Sequence, residues 1–439
     1  MTDWHRLGIS ELHSAYATGE TTPAAVLDHY LARIDRHDGA LRSYIAVDRP
    51  SARMAAEHSL QRIREDVRRP LEGIPVAVKA NIAVRGMELN AGMKAREGII
   101  ASEDAAVVAR LREAGAVIVG TLNMHEAALG ATTDNPFFGR CLNPHGDGRT
   151  PGGSSGGSGA AVASGLCVAA LGTDTLGSIR IPSAYCGVFG LKPTTGAIAD
   201  AGLAPLSARF DAIGPIARSM DDLSILTNVL VNPDLSMAMR RSRFLVLEEL
   251  GGVSCEPEVA RAFEAAVDTL PGDKEVLALP ASCGDIRTSA FVHAARDLAV
   301  HLVELGEARC AMFSEELAYL IDFAISRDDA DVRQDAVLVA EADRIVRAAI
   351  GDNGILLMPT APQTAFPQGT RAPSNQADFT ALANIAGLPA ISIPIGFGKD
   401  SMPVGMQLVG PPGGEAMLVA QARMINDAVR GYAPPRHYW

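Results

Sequence analysis

Much of what this 439-residue chain lacks is informative. It has no block of lysines and arginines beyond short clusters such as the one at 240–243. A nucleic-acid binder carries a basic stripe, so that class is disfavoured, and the net charge of -12 speaks for solubility. The six cysteines are widely spaced and form no Cys-x-x-Cys pair. A disulfide framework is therefore not expected; Cys167 and Cys186, in apolar or small-residue surroundings, read as packed free thiols. No apolar run is long enough for a membrane span, and the stretch from Ala160 to Leu171 is short and rich in small residues. The start, Met1-Thr-Asp-Trp-His-Arg-Leu7, lacks the apolar core of a signal peptide, so a cytoplasmic protein is expected. There is no His-x-x-x-His or Cys/His cluster, so neither a metal nor another cofactor is expected. Internal repeats and low-complexity linkers are also missing.

What is present alternates between two periods. Thr21-Thr-Pro23 opens a segment with apolar residues at 26, 27, 30, 31 and 34, the spacing of an amphipathic helix with proline in its first turn. Leu71 to Lys79 ends in a short strand pattern. The segment from Ala105 to Ala114 reads as a helix stopped by Gly115, and Ala116-Val-Ile-Val-Gly120 as a buried strand. Ser219, with Asp222 three residues on, resembles a capping pair before a helix to Leu230. Residues 257–350 are mostly helical and more charged. The runs Gly354 to Pro359 and Pro389 to Ile395 read as two more buried strands. Strand and helix at this rhythm predict an α/β fold, one large domain rather than two.

The glycines concentrate in Pro151-Gly-Gly-Ser-Ser-Gly-Gly-Ser-Gly159, followed by Gly172-Thr-Asp-Thr-Leu-Gly-Ser-Ile-Arg-Ile-Pro182. Glycine costs backbone entropy in a helix or strand, so the first run predicts sharply bent backbone or close approach. Apolar, small-residue sequence separates the two runs and suggests two loops side by side, each presenting a hydroxyl: Ser154 and Ser178. A phosphate cradle needs a lysine after the glycines, which is missing. A dinucleotide fingerprint needs a preceding strand, which Asn143-Pro-His-Gly-Asp-Gly-Arg149 is not. A nucleophile elbow is the closer rival, since Gly152-Gly-Ser-Ser-Gly156 matches Gly-x-Ser-x-Gly. It also needs a strand before the serine and a histidine later, and His293, His301 and His437 stand in no conspicuous loop motif. A flexible linker would not lead straight into small-residue helix. The remaining reading uses Lys79, which ends an apolar strand. Burial disfavours an ammonium, and a neutral lysine can act as a base toward a serine without any histidine.

These residues together resemble the amidase signature family. The resemblance rests on Gly73-Ile-Pro-Val-Ala-Val-Lys79, Asn135-Pro-Phe-Phe-Gly139, Asn143-Pro, the two glycine-rich runs, and Cys186-Gly-Val-Phe-Gly-Leu-Lys-Pro193. It continues through Met358-Pro-Thr360, Gly387-Leu-Pro-Ala390 and Pro403-Val-Gly-Met-Gln-Leu-Val-Gly410, so that it spans nearly the whole chain. It implies a large mixed, mostly parallel twisted β-sheet covered by helices on both faces. A single domain over 1–439 is expected: N-terminal helices 1–70, core 71–235, a helical variable segment 236–350, and core strands with a helix at 351–439. The resemblance also implies a Ser-cis-Ser-Lys triad, with Ser178 as nucleophile, Ser154 as bridge through a cis peptide after Gly153, and neutral Lys79 as base. Backbone N–H groups of Thr175, Leu176, Gly177 and Ser178 would form the oxyanion hole, and Ala128 would lie at the acyl site. Ser155, Asp174 and Arg180 are expected to support the loops.

The implied activity is hydrolysis of a C–N bond in an amide-like small molecule: a carboxamide, anilide, carbamate or carbamoyl-urea. The alternative is the glutaminase component of a tRNA-dependent amidotransferase, which would need partner subunits and a site for the glutamine carboxylate. A non-catalytic scaffold is disfavoured by the intact Lys79, Ser154 and Ser178. The resemblance suggests a homodimer, and the composition argues against a nucleic-acid or membrane partner. Two departures from the family pattern bear on substrate: Ala80 where an aspartate usually follows the lysine, and Leu176 where a glycine usually precedes Gly177.

Overall fold

The computed structural model describes residues 3–239 and 241–439; Met1 and Thr2 of the N-terminal stretch and Arg240 of the basic cluster lie outside the described residues. The strands are β1 (Tyr44–Val47), β2 (Pro75–Lys79), β3 (Val117–Leu122), β4 (Asp134–Asn135), β5 (Gly139–Arg140), β6 (Ala169–Asp174) and β7 (Phe189–Lys192). They continue as β8 (Ala212–Ala217), β9 (Arg243–Leu247), β10 (Glu275–Leu277), β11 (Gly354–Pro359), β12 (Ala390–Phe397) and β13 (Pro403–Val409). Eleven of them form one sheet in the order β1-β3-β2-β6-β8-β7-β12-β13-β11-β9-β10, and β4 and β5 make a separate two-stranded ribbon.

Parallel pairing is confined to β2 with β3 and β6, and β9 with β10 and β11. The other six pairings are antiparallel. The sheet is therefore mixed with an antiparallel majority, where the resemblance implied a mostly parallel one. The reason is the middle of the sheet. There the consecutive strands β7–β8 and β12–β13 are joined by connections that reverse direction, whereas β2–β3 and β9–β10 are joined by helical crossovers and stay parallel.

Strand composition follows burial on both faces, as expected when helices cover a sheet twice. In β11, Ile355 and Leu357 enter one core, while Leu356 and Met358 enter the core on the other face. One face is covered by helices that include Ala106–Glu113, Met220–Leu230, Pro257–Asp268 and Glu415–Val429. The other face carries Pro23–Leu41, Arg49–Arg64 and Gly156–Ala163, and further along Cys283–Val303 and Asp329–Ile350.

Chemically explicit local signals are realised in the fold. Thr22 caps the helix Pro23–Leu41 by accepting from the Ala25 N–H at 3.2 Å. Ser219 caps Met220–Leu230 by accepting from the Asp222 N–H at 3.0 Å. The cysteines are free, four of them buried. No helix among the described residues is long and apolar enough to cross a membrane.

The glycine-rich run differs from its reading as bent loop throughout. Its second half, from Gly156, belongs to the helix Gly156–Ala163. Close approach explains the glycines there. A Cβ on Gly157 would lie 2.3 Å from the Asn123 carbonyl oxygen, and one on Gly156 would lie 2.3 Å from Thr133 Oγ1. The helix accepts their entropic cost because nothing larger fits against its neighbours.

Candidate active site

β2 and β6 are parallel neighbours, so their C-terminal ends emerge on the same edge of the sheet. Lys79 ends β2, and the loop carrying Ser178 leaves β6 after Asp174. In open α/β sheets this edge is where ligands are met. The Lys79 ammonium nitrogen is fully buried and lies 2.7 Å from both Ser154 Oγ and Thr173 Oγ1. Burial lowers its pKa from the usual lysine value to about 7, against the opposing pull of Asp211 and Asp174.

Ser154 follows a cis peptide bond from Gly153. Its carbonyl accepts from the His125 N–H at 3.0 Å. A Cβ on Gly153 would sit 2.8 Å from Thr132 N, so this turn is pressed against the 131–133 backbone. No strand runs directly into the turn, as a nucleophile elbow would require; the preceding strand is β5. His293 lies on the helix Cys283–Val303.

Ser155 ties the two loops together. Its N–H donates to the Ser178 carbonyl at 3.2 Å, its hydroxyl donates to the Thr173 carbonyl at 3.1 Å, and it accepts from the Thr173 N–H at 3.2 Å. Ser178 itself is half-buried and opens into a cleft of about 410 Å³, whose lining includes Ala128, Thr175 and Leu176. Ala128 has φ of 60°, which turns the 125–130 backbone under the cleft.

Asp174 and Arg180 form a fully buried ion pair beneath the Ser178 loop. Burial pushes the Asp174 carboxyl up, but Arg180 outweighs it and holds the pKa at about 2. That carboxylate accepts from the N–H groups of Gly177 at 2.7 Å and Ile179 at 3.1 Å. This corrects one expectation. The Gly177 N–H, expected in an oxyanion hole, donates to a buried charge instead. Gly177 has φ of 136°, and a Cβ there would lie 2.2 Å from Thr380 Oγ1, so only glycine fits. Leu176 has no left-handed φ, and its side chain lines the cleft.

Several site residues have contacts that no sequence signal pointed to, although Gln407 lies within the motif Pro403 to Gly410. Thr380 Oγ1 donates to the Leu176 carbonyl at 2.6 Å. Asn384 Nδ2 donates to the Asp174 carbonyl at 3.0 Å, and its Oδ1 accepts from Arg180 at 2.6 Å. Gln407 Oε1 accepts from Arg180 at 2.7 Å. Asp211 accepts from Thr175 Oγ1 at 2.5 Å, and burial raises its pKa to about 6 despite that bond. The motif Gly387-Leu-Pro-Ala390 marked the neighbourhood of Asn384 but not its contact. Ala80, where an aspartate was expected from the resemblance, is fully buried in an apolar cluster with Met93 and Met124. Among the described residues no group of His, Cys, Asp and Glu could hold a metal ion.

A family model described as Amidase matches residues 25–290 and 313–419. The chain belongs to the amidase signature family. Among curated proteins it is 34% identical to one subunit of the Glutamyl-tRNA(Gln) amidotransferase of Thermus thermophilus, over 95% of this chain and 96% of that one. It is 30% identical to the corresponding protein of a Synechococcus strain, over 98% of each. Among solved structures, one described as a vestigial protein complex revealing the origins of an s-triazine catabolic enzyme superposes with a TM-score of 0.90. The identity is 32%, covering 97% of this chain and 99% of that one. A structure described as an amidase gives a TM-score of 0.88 at 30% identity, covering 96% of this chain and all of that one.

Proposed function

We propose that this member of the family hydrolyses a C–N bond in an amide-like small molecule through an acyl-enzyme on Ser178. The observation that carries the reading is the buried Lys79 amine, 2.7 Å from Ser154 Oγ with its pKa near 7, beside the loop that presents Ser178. Neutral Lys79 takes the Ser154 proton while Ser154 takes the Ser178 proton. Ser178 Oγ then adds to the carbonyl carbon. The oxyanion is met by the N–H groups of Thr175, Leu176 and Ser178. Collapse breaks the C–N bond, and the proton held on Lys79 returns through Ser154 to the leaving nitrogen. Water, deprotonated through the same relay, then cleaves the ester, releases the acid and restores Ser178. The cleft, whose volume lies within the range of small-molecule pockets, supports a small substrate.

The second reading is the glutaminase component of a tRNA-dependent amidotransferase. It is favoured by the curated relatives, which are named as part of such an enzyme and match over nearly their full length. Labelling with a fluorophosphonate followed by peptide mapping tests the shared chemistry: the adduct is expected on Ser178, and an adduct on Ser154 or Ser155 would overturn the assignment. Turnover by the chain, assayed alone and mixed with the other subunits of such an amidotransferase, separates the readings. Hydrolysis of anilides or aliphatic amides without glutamine turnover supports the first. Glutamine turnover alone supports the second.

A further inference from the structure

The cleft above Ser178 is mostly apolar, with Leu129, Leu206, Phe291, Leu320 and Phe323 in its walls. On one side a basic group breaks that surface. Arg287 lines the cleft from the helix Cys283–Val303 and keeps 19% of its side chain accessible. Its Nε donates to Asp378 Oδ1 at 3.0 Å. Neither terminal amino group of the guanidinium makes a hydrogen bond to a described residue. Asp378 thus balances the charge and fixes the plane of the fork, while the fork's outer donors stay unused. A planar pair of such donors matches a carboxylate two-to-two.

The loop that carries Asp378 also carries Gln376, which lines the same cleft and is 5% exposed. Its Nε2 donates to the Pro373 carbonyl at 3.2 Å, but its Oε1 is buried without a partner. A buried acceptor left unpaired is costly, so a ligand N–H there would relieve it. The cleft's other charged group, Glu316, stands 3.7 Å from the buried His125 ring and is 59% exposed. It would repel an anion on its own side and leaves the Arg287 side as the place for one.

We propose that Arg287 is a substrate-binding residue that grips a carboxylate, with Gln376 Oε1 accepting from an N–H close to it. The substrate is then an amide whose non-reacting end is anionic and separated from the scissile bond by an apolar body. This rests on the proposed acylation of Ser178. Glutamine offers a carboxylate too, without the apolar body, so the two sources need separate arms.

The test is protection of Ser178 in the full chain from fluorophosphonate labelling. The probes are 4-phenylbutyrate, its methyl ester and L-glutamine. The carboxylate is expected to halve the labelling rate at about tenfold lower concentration than the ester, the scale of hydrogen bonds to a charged group. Arg287→Met should bring that ratio to about one, and Arg287→Lys, which keeps charge but loses the fork, should leave it in between. Because the readout is a ratio within each variant, a general loss of reactivity does not imitate it. Equal protection by acid and ester in the wild type, or a preference that survives Arg287→Met, would overturn the inference while Ser178 still labels. Protection by glutamine but not by phenylbutyrate would overturn the apolar body. Failure of Ser178 to label would overturn the proposed relay, and the inference with it.

Discussion

Two lysines, Lys79 and Lys192, are fully buried, and burial lowers each to about 7. Their partners separate them. Lys192 donates to the carbonyl of Pro193 at 2.8 Å, whereas Lys79 meets two hydroxyls, one of them on Ser154. Only the second arrangement offers a proton donor to a base. Lys79→Ala should cost about 10²–10⁴ in kcat, the usual worth of a positioned base. In the wild type, kcat/KM should rise with pH through about 7, because protonation below that value removes the base. A rate independent of Lys79 or flat across that range would refute the relay. Asn384 acts at one remove, holding Asp174 and Arg180 and through them the Gly177 amide. As a positioning residue, its alanine variant should lower kcat by about 10–100-fold, less than the 10²–10³ of a direct oxyanion donor, with KM little changed. A change confined to KM would place Asn384 elsewhere in the chemistry.

At the scale of elements, the helix Gly156–Ala163 shows how a site can be packed with glycine without being loose. It is buried along its whole length. Gly157 faces the carbonyls of Asn123 and Ser43, at 2.3 and 2.5 Å from a would-be Cβ. Gly157→Ala therefore trades a better helix former for a clash with backbone, and the clash should win. A loss of about 1–3 kcal/mol, typical of overpacking, is expected in urea unfolding; a gain in midpoint would show that the backbone at Asn123 and Ser43 yields. The capped helices and the apolar strands were legible because their signals are local: a hydroxyl three residues from an amide, or an apolar run of strand length. The helical state of Gly156 to Gly159 was not, because glycine propensity opposes it and only the surroundings require it. Strand direction in the middle of the sheet was also out of reach, since it depends on which strands become neighbours.

For the whole molecule, burying charge makes stability depend on pH. Lys79 keeps its proton to about 10.5 when exposed by unfolding and loses it near 7 when folded. Between those values the unfolded chain binds more protons, so stability contributed by this group rises with pH. Relative to Lys79→Met, the wild type should gain about 1.4 kcal/mol per pH unit between pH 7 and 9, read from denaturant curves at each pH. A constant difference would mean that the folded amine is not depressed.

The sequence by itself determined the family, the three side chains of the proposed relay and the loops that carry two of them. Those follow from residue type and short spacing, which the chain displays directly. The tertiary structure decided what each group is free to do. It brought Thr380 and Asn384 to a loop some two hundred residues earlier in the chain. It assigned the Gly177 N–H to Asp174 rather than to a substrate, and it stood Arg287 with its unused donors in an apolar cleft. Burial and long-range hydrogen bonds set those outcomes, and neither is a property of any stretch of sequence taken alone.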